Sequence, residues 1–211
     1  PQGGLVGRRI ETLARLCAGE APSILLTTIN AIVQNLPPAD YFTDSSLVIT
    51  PASAHSPASL AEFLSNHAYL RTDTVRETGE FAIRGGIVDV FPPGHSDPVR
   101  LDFFGDEIET MRVFDAATQR STGRLDRLTL RPVAEFRLTE ASISRFRTGY
   151  LQAFGGSASR DALYESVSAG RMHPGIEHWL PLFHDHLTTL ADYCPGWPLF
   201  LDHEGDAAYT A

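Results

Sequence analysis

The chain has 211 residues, enough for one or two domains, and its 43% hydrophobic content is ordinary for a protein with a buried core. Its net charge of −9 argues against nucleic-acid binding as the main activity, because phosphate backbones repel an acidic surface. No apolar run approaches the roughly 20 residues of a membrane span, so we expect a cytoplasmic protein without a signal peptide.

The first segment, residues 1–45, has the pattern of an incomplete α/β unit. Helical spacing predicts a helix over Arg9–Leu16. The apolar run Ser23–Thr28 predicts a strand of a parallel sheet, and Asn30–Leu36 returns to a helical pattern that Pro37-Pro38 ends. This segment is too short to bury a core of its own, so we expect it to end a larger α/β domain.

The second segment, residues 46–132, is predicted to be a small α+β domain. A strand is expected at Ser45–Thr50, followed by a helix that begins at Ser56-Pro57. Ser is a preferred N-cap residue, and Pro suits the first helical position. Phe81–Arg84 alternates as a half-buried strand, and Ile87–Phe91 follows as a mostly apolar strand.

Two further strands of this segment form a predicted β-hairpin. Val99–Phe104 and Glu107–Phe114 flank Gly105-Asp106, and Gly in the first of two central positions suits a type II′ turn. Such a turn fixes the register of the two strands, and therefore predicts which side chains share a face.

A regular register pairs Arg100 with Met111 and places Asp102 opposite Glu109, which brings two like charges together. The outward face exposes Phe104 beside Arg100, and both residue types are enriched at interface anchors. The alternative is that Phe104 packs under a neighbouring loop while Arg100 merely neutralises acids. The inward face carries a core-like set of side chains: Leu101, Phe103, Ile108 and Thr110.

The third segment, residues 133–211, is predicted to begin another α/β part. Thr139 is expected to cap a helix that ends at Gly155-Gly156, and Ser159 to cap a shorter helix that ends at Gly170. Trp179 is expected to anchor the core or a domain interface, because its surroundings are acidic rather than basic.

Chemistry-bearing motifs are scarce in the chain. A phosphate-binding loop needs a lysine, and all 17 positive charges are arginines. The chain offers no recognised metal-ligand spacing, since Cys17 and Cys194 are far apart and the later histidines lack a paired motif. We therefore predict no catalytic residue, cofactor or metal here. The histidines considered as metal ligands are His173, His178, His184, His186 and His203.

The pattern GEFAIRGGIVDVFPP followed by VRLDFFGDEIETMRVFD resembles a module shared by two groups of bacterial repair proteins. One is the transcription-repair coupling factor family, and the other is the helicase subunit UvrB. The segment FDAATQRS at Phe114–Ser121 and the segment HPGIEHWLPLF at His173–Phe183 resemble the former. The likeness extends from about Arg8 to Asp202.

The resemblance implies a fold that is both α/β and α+β, a partial helicase-like α/β domain interrupted by a small mixed sheet and helix domain. Residues 1–45 correspond to the end of the first α/β domain, 46–132 to a UvrA-binding domain, and 133–211 to the start of a second α/β part. In such a family the fragment is not itself an enzyme. The parent protein is expected to be an ATP-dependent DNA translocase whose motor, with ATP and magnesium, lies elsewhere, as do its contacts with RNA polymerase and double-stranded DNA.

The same resemblance implies that the partner of this region is UvrA, the damage-sensing ATPase of nucleotide-excision repair. Arg84, Arg100 and Phe104 match the partner-contacting positions, and all three are expected to point outward. Two alternatives remain open at this point. In the first, the region is a DNA-engaging part of a UvrB-like helicase module. In the second, an intramolecular clamp masks the UvrA-binding face.

Overall fold

The computed structural model describes residues 3–20, 24–51 and 53–202. Its helices are α1 (Gly3–Cys17), α2 (Ile29–Ile32), α3 (Ala39–Asp44), α4 (Pro57–Asn66), α5 (Glu140–Phe154), α6 (Ala162–Ser168) and α7 (Leu190–Tyr193). Its strands are β1 (Leu47–Ile49), β2 (Leu70–Arg71), β3 (Glu80–Arg84), β4 (Ile87–Val90), β5 (Val99–Phe104), β6 (Glu107–Phe114), β7 (Ser121–Arg124) and β8 (Leu128–Leu130). Two short 3-10 helices span Gly156–Arg160 and Ile176–Leu182.

Six strands form the main sheet in the order β2-β3-β4-β5-β6-β7. β2 and β3 run parallel, and the other neighbours are antiparallel. α4 packs on one face of the sheet through Leu60 and Leu64, which join a buried cluster with alternate residues of the strands. The prediction of a mixed α/β and α+β fold is confirmed.

A separate two-stranded ladder closes this domain. β1 and β8 pair antiparallel, with Leu47 opposite Leu130 and Ile49 opposite Leu128. The chain therefore enters and leaves the six-stranded sheet region through neighbouring strands. The proposed division at residues 45/46 and 132/133 stays a prediction, although this pairing lies next to both positions.

The segments before and after the sheet domain pack on each other. The hydroxyl of Tyr41 donates to the carbonyl of Ala134 at 2.9 Å, and that of Tyr193 donates to the carbonyl of Pro37 at 2.6 Å. Tyr193 joins a buried cluster with residues of the first segment: Ile10, Leu13, Ala14, Leu16, Leu36, Tyr41 and Phe42. The third segment thus completes a core that is built mainly from residues of the first.

The first segment departs from prediction in three places. The helix predicted over Asn30–Leu36 is shorter and spans only Ile29–Ile32. The prediction of a strand over Ser23–Thr28 is wrong for residues 24–28, which have no regular secondary structure. The side chain of Leu26 in this run is 90% exposed. Ser23 lies outside the described residues. An apolar run forms a strand only where a neighbour pairs its backbone groups. α3 was hidden from the sequence pattern because Pro37-Pro38 was interpreted as a stop, whereas Pro38 is the N-cap of that helix.

The predicted helix caps are confirmed in two of three cases. The Ser56 side chain accepts a hydrogen bond from the Ser59 amide at the start of α4, and Thr139 caps α5. The cap predicted at Ser159 is wrong, since that residue lies in a 3-10 helix and Asp161 caps α6.

Candidate interaction surface

The three predicted contact residues lie on one face of the six-stranded sheet. Arg84 ends β3, and Arg100 and Phe104 belong to β5. Arg84 lies opposite Ile87, and Ile87 lies opposite Asp102, so the strands present these side chains away from α4. We call this side the arginine face, because it carries Arg84, Arg100, Arg112 and Arg124.

A buried carboxylate organises two of these arginines. Asp89 in β4 has no exposed surface. Arg100 donates from Nε to Oδ1 at 2.7 Å and from Nη2 to Oδ2 at 2.9 Å, while Arg84 donates from Nη2 to Oδ2 at 2.5 Å. The hydrogen bonds with Asp89 raise the pKa of Arg100. Such charge-assisted bonds offset the desolvation of the carboxylate and hold both guanidinium groups in one orientation.

Arg100 is less exposed than predicted. Only 17% of its side chain is accessible, compared with 48% for Arg84. Its guanidinium carbon lies 4.7 Å from the ring centroid of Phe114, a cation–π contact. Phe114 is itself buried in a small apolar cluster with Val75, Ala82 and Phe91. Arg100 therefore lies on the predicted outward face, but most of its side chain is covered there.

Phe104 stands at the tip of the hairpin with 81% of its surface exposed. The alternative that it packs under a neighbouring loop is wrong in the described structure. Gly105, the next residue, has a φ of +62°, the left-handed conformation that the predicted turn requires. The arginine face thus ends in an exposed aromatic ring that lies on the same side of the sheet as two oriented arginines.

The hairpin contains a β-bulge that the regular register did not predict. The two residue pairs next to the turn follow the prediction, but the register then shifts so that Asp102 lies opposite Thr110. Glu109 is the extra residue, and the predicted like-charge pair of Asp102 with Glu109 is wrong. Asp102 instead accepts a hydrogen bond from Oγ1 of Thr110 at 2.7 Å.

The bulge also reverses the predicted faces of the residues that follow it. Met111 lies opposite Leu101 and is fully buried, whereas Arg112 lies opposite Arg100 on the arginine face. Arg112 donates from Nη2 to Oδ2 of Asp102 at 2.7 Å. Sequence reasoning missed Arg112, although the placement of an apolar Met111 on the outward face was a signal that the register is irregular.

Several other buried titratable groups lie away from the arginine face, near the junctions between segments. Burial lowers the pKa of His67, which follows α4, and of His184, whose Nε2 lies 2.7 Å from the carbonyl oxygen of Glu135. Burial raises the pKa of the Glu135 carboxyl, and the nearby Arg9 opposes that shift. The arginine face itself presents guanidinium donors and an aromatic ring, which suit binding.

Within residues 3–20, 24–51 and 53–202, no group of three or more His, Cys, Asp or Glu side chains is placed to hold a metal ion. The four earlier histidines of the predicted set form no such group, and His203 lies outside the described residues. Cys17 and Cys194 are free thiols. None of the described helices is long and apolar enough to cross a membrane.

Comparison with known proteins gives two consistent results. Residues 47–136 match the family model described as the UvrB interaction domain. The chain is 35% identical over 193 residues to the transcription-repair-coupling factor of Rickettsia typhi, covering 92% of this chain and 17% of the relative. It is 33% identical over 212 residues to that of Escherichia coli, covering 100% of this chain and 18% of the relative. The Bacillus subtilis factor is 29% identical over 205 residues, covering 90% and 17%. The chain thus spans less than a fifth of these relatives.

Proposed function

Because the chain is homologous over nearly its whole length to transcription-repair-coupling factors and its residues 47–136 belong to the UvrB interaction domain family, we propose that it is a docking module for UvrA. In this proposal the middle domain binds UvrA through Arg84, Arg100 and Phe104. The module is not itself catalytic and needs no nucleotide or metal of its own.

The observation that carries the proposal is the combination of Phe104 with a fixed pair of arginines. An aromatic ring that is 81% exposed buries apolar area only when a partner covers it. Asp89 holds Arg84 and Arg100 on the same face of the sheet through three hydrogen bonds, so these two residues lose little side-chain entropy on binding. Aromatic residues and arginine are the types that dominate interface hot spots.

Within the parent protein, this docking would bring UvrA to an RNA polymerase stalled at damage. The ATP- and magnesium-dependent motor and the contacts with RNA polymerase and double-stranded DNA belong, in this proposal, to other domains. The small share of the relatives' length that the chain spans leaves room for such domains.

The test is a calorimetric titration of the purified chain against UvrA. Wild type is compared with Arg84→Ala, Arg100→Ala and Phe104→Ala, and circular dichroism checks the fold of each. We expect each variant to bind about tenfold more weakly or worse, equivalent to at least about 1.4 kcal/mol. Arg160→Ala removes the same charge from an exposed position outside the sheet and should bind like wild type.

Two results would overturn the proposal: a folded wild type that does not bind UvrA, or affinities unchanged in all three variants. Salt-sensitive binding of the wild type to duplex DNA, in place of UvrA binding, would favour a DNA-engaging UvrB-like module. Comparing the chain with the full-length protein measures masking, since a clamp over the arginine face predicts weaker binding by the longer protein.

A further inference from the structure

The bulge at Glu109 changes what the arginine face can bind. In a regular hairpin, Arg112 would lie opposite Val99 and point into the core. Bulges commonly re-aim side chains, and here the shift places Arg112 directly opposite Arg100. Cross-strand neighbours of this kind have Cβ atoms about 5 Å apart, so the two guanidinium groups lie on one patch.

Arg112, like Arg100, is held by a neighbouring acid, although both of its donors reach the same oxygen, Oδ2 of Asp102. Asp102 accepts from its Nε at 3.2 Å and from its Nη2 at 2.7 Å, and also accepts from the hydroxyl of Thr110. The Arg112 side chain nevertheless remains 46% exposed, compared with 17% for Arg100. It is therefore held by an acid like the two predicted arginines, and its side chain is more exposed than that of Arg100 and about as exposed as that of Arg84.

We propose that Arg112 is a fourth partner-contacting residue, and that the partner presents two neighbouring carboxylates, one to Arg100 and one to Arg112. This inference rests on the proposed docking function and names the chemistry of the surface that UvrA would bring. A planar guanidinium that already donates one edge to Asp102 keeps its remaining N–H groups for a second carboxylate.

The acids around Arg112 favour a protein partner over nucleic acid. Asp102 and Glu107 lie on the same face as Arg112, and the exposed Phe104 lies directly opposite Glu107 next to the turn. A phosphate backbone presents a continuous line of negative charge that would meet these acids as well as the arginines. A folded protein surface can instead place single carboxylates opposite the arginines, away from Asp102 and Glu107, and an apolar pocket over the ring.

The experiment measures UvrA affinity of the chain for wild type, Arg112→Ala, Arg112→Lys and Asp102→Asn, with Arg100→Ala and Arg160→Ala beside them. Arg112→Ala should bind about tenfold more weakly, and Arg112→Lys should recover part of that loss, because lysine restores the charge without the planar fork. Asp102→Asn should weaken binding much less than Arg112→Ala, since Arg112 keeps its charge and loses only the partner that orients it. Urea unfolding of every variant confirms that binding is compared between folded proteins.

The variants separate four results that would overturn the inference in different ways. Wild-type affinity in Arg112→Ala, with weakened binding in Arg100→Ala, would overturn the role of Arg112 and leave the docking function standing. An equal loss in Asp102→Asn and Arg112→Ala would mean that the pair only supports the hairpin, which also overturns the inference. Absence of binding by wild type would overturn the docking function itself. A loss confined to salt-sensitive duplex DNA binding would assign Arg112 to nucleic acid instead.

Discussion

Arg100 forms a two-point salt bridge with Asp89, a completely buried acid. Nε of Arg100 donates to Oδ1 at 2.7 Å, and Nη2 donates to Oδ2 at 2.9 Å. The two residues are cross-strand partners in β4 and β5, so the sheet itself sets their separation. Asp89 therefore contributes to the stability of the domain and also fixes the orientation of Arg100 on the arginine face.

The first prediction concerns the removal of that acid. Asp89→Asn should lower the free energy of unfolding by about 3 kcal/mol, because it leaves the largely buried Arg100 without its counter-charge. Urea denaturation measures the loss. Asp102→Asn removes a more exposed acid and should cost about 1 kcal/mol or less. Equal losses in the two variants would contradict the distinction drawn between them.

The second prediction separates binding from folding at two phenylalanines. Phe104→Ala should change the free energy of unfolding by no more than about 0.5 kcal/mol, because the ring is exposed, yet weaken UvrA binding. Phe114→Ala should destabilise the domain by about 3 to 5 kcal/mol, because that ring is fully buried under Arg100. Thermal unfolding and titration of both variants decide the matter. A destabilised Phe104→Ala would mean that its ring supports the fold.

The third prediction tests the bulge by single-residue deletions. Without Glu109 the hairpin becomes regular while Thr110 stays opposite Asp102, so this variant should keep its stability within about 1 kcal/mol. Deletion of Thr110 instead leaves Glu109 opposite Asp102, and the like-charge pair should make it less stable by up to about 1 kcal/mol.

Urea denaturation of the two deletion variants provides the comparison. If the hairpin were regular in the wild type, deletion of Glu109 would turn the following residues to the wrong faces and unfold the domain. If the variant without Glu109 is unfolded, the hairpin of the wild type has no bulge at this position.

The fourth prediction is a loss of stability in mild acid. His67 stacks on Phe63 with ring centroids 4.0 Å apart, and its Nδ1 lies 2.7 Å from the Phe63 carbonyl oxygen. Its Nε2 is buried without a hydrogen-bond partner among the described residues. Burial, together with Arg137, lowers the pKa of His67 below its ordinary value of 6.5. Between the two pKa values the unfolded chain binds more protons than the folded one, so stability falls as the pH falls through 6.5.

Unfolding by urea at pH 7.5 and at pH 5.5 measures this effect. The wild type should be less stable at pH 5.5, and His67→Gln should lose less stability over the same interval. Burial lowers the pKa of His95 and His184 as well, so part of the dependence remains in the variant. Identical pH dependences in wild type and variant would exclude a contribution from His67.

Local signals in the sequence account for much of the sheet domain. The Ser56-Pro57 start of α4 and the turn at Gly105-Asp106 are set by residues a few positions apart, and both were predicted correctly. The run at 24–28 failed because strand formation depends on a pairing partner that a local pattern does not reveal.

The interaction surface was only partly predictable for a similar reason. Alternation places Arg100 and Phe104 on one outward face, and the resemblance adds Arg84. Alternation assumes an unbroken period of two, so the bulge at Glu109 hid the position of Arg112. The role of Asp89 depends on cross-strand contacts with two arginines, which become visible only when the register is known.

The pairing of β1 with β8 brings the two ends of the sheet domain together, which is the geometry needed to insert it into another protein. Leu47 and Leu130 face each other across an antiparallel ladder, so the two ends of the domain lie about 5 Å apart, as in the stem of a hairpin. Residues 47–130 have the end-to-end geometry needed to replace a hairpin loop in an unrelated host protein. Such a graft would carry the arginine face alone, freed from the packing of α1 and α5 that surrounds its native attachment point.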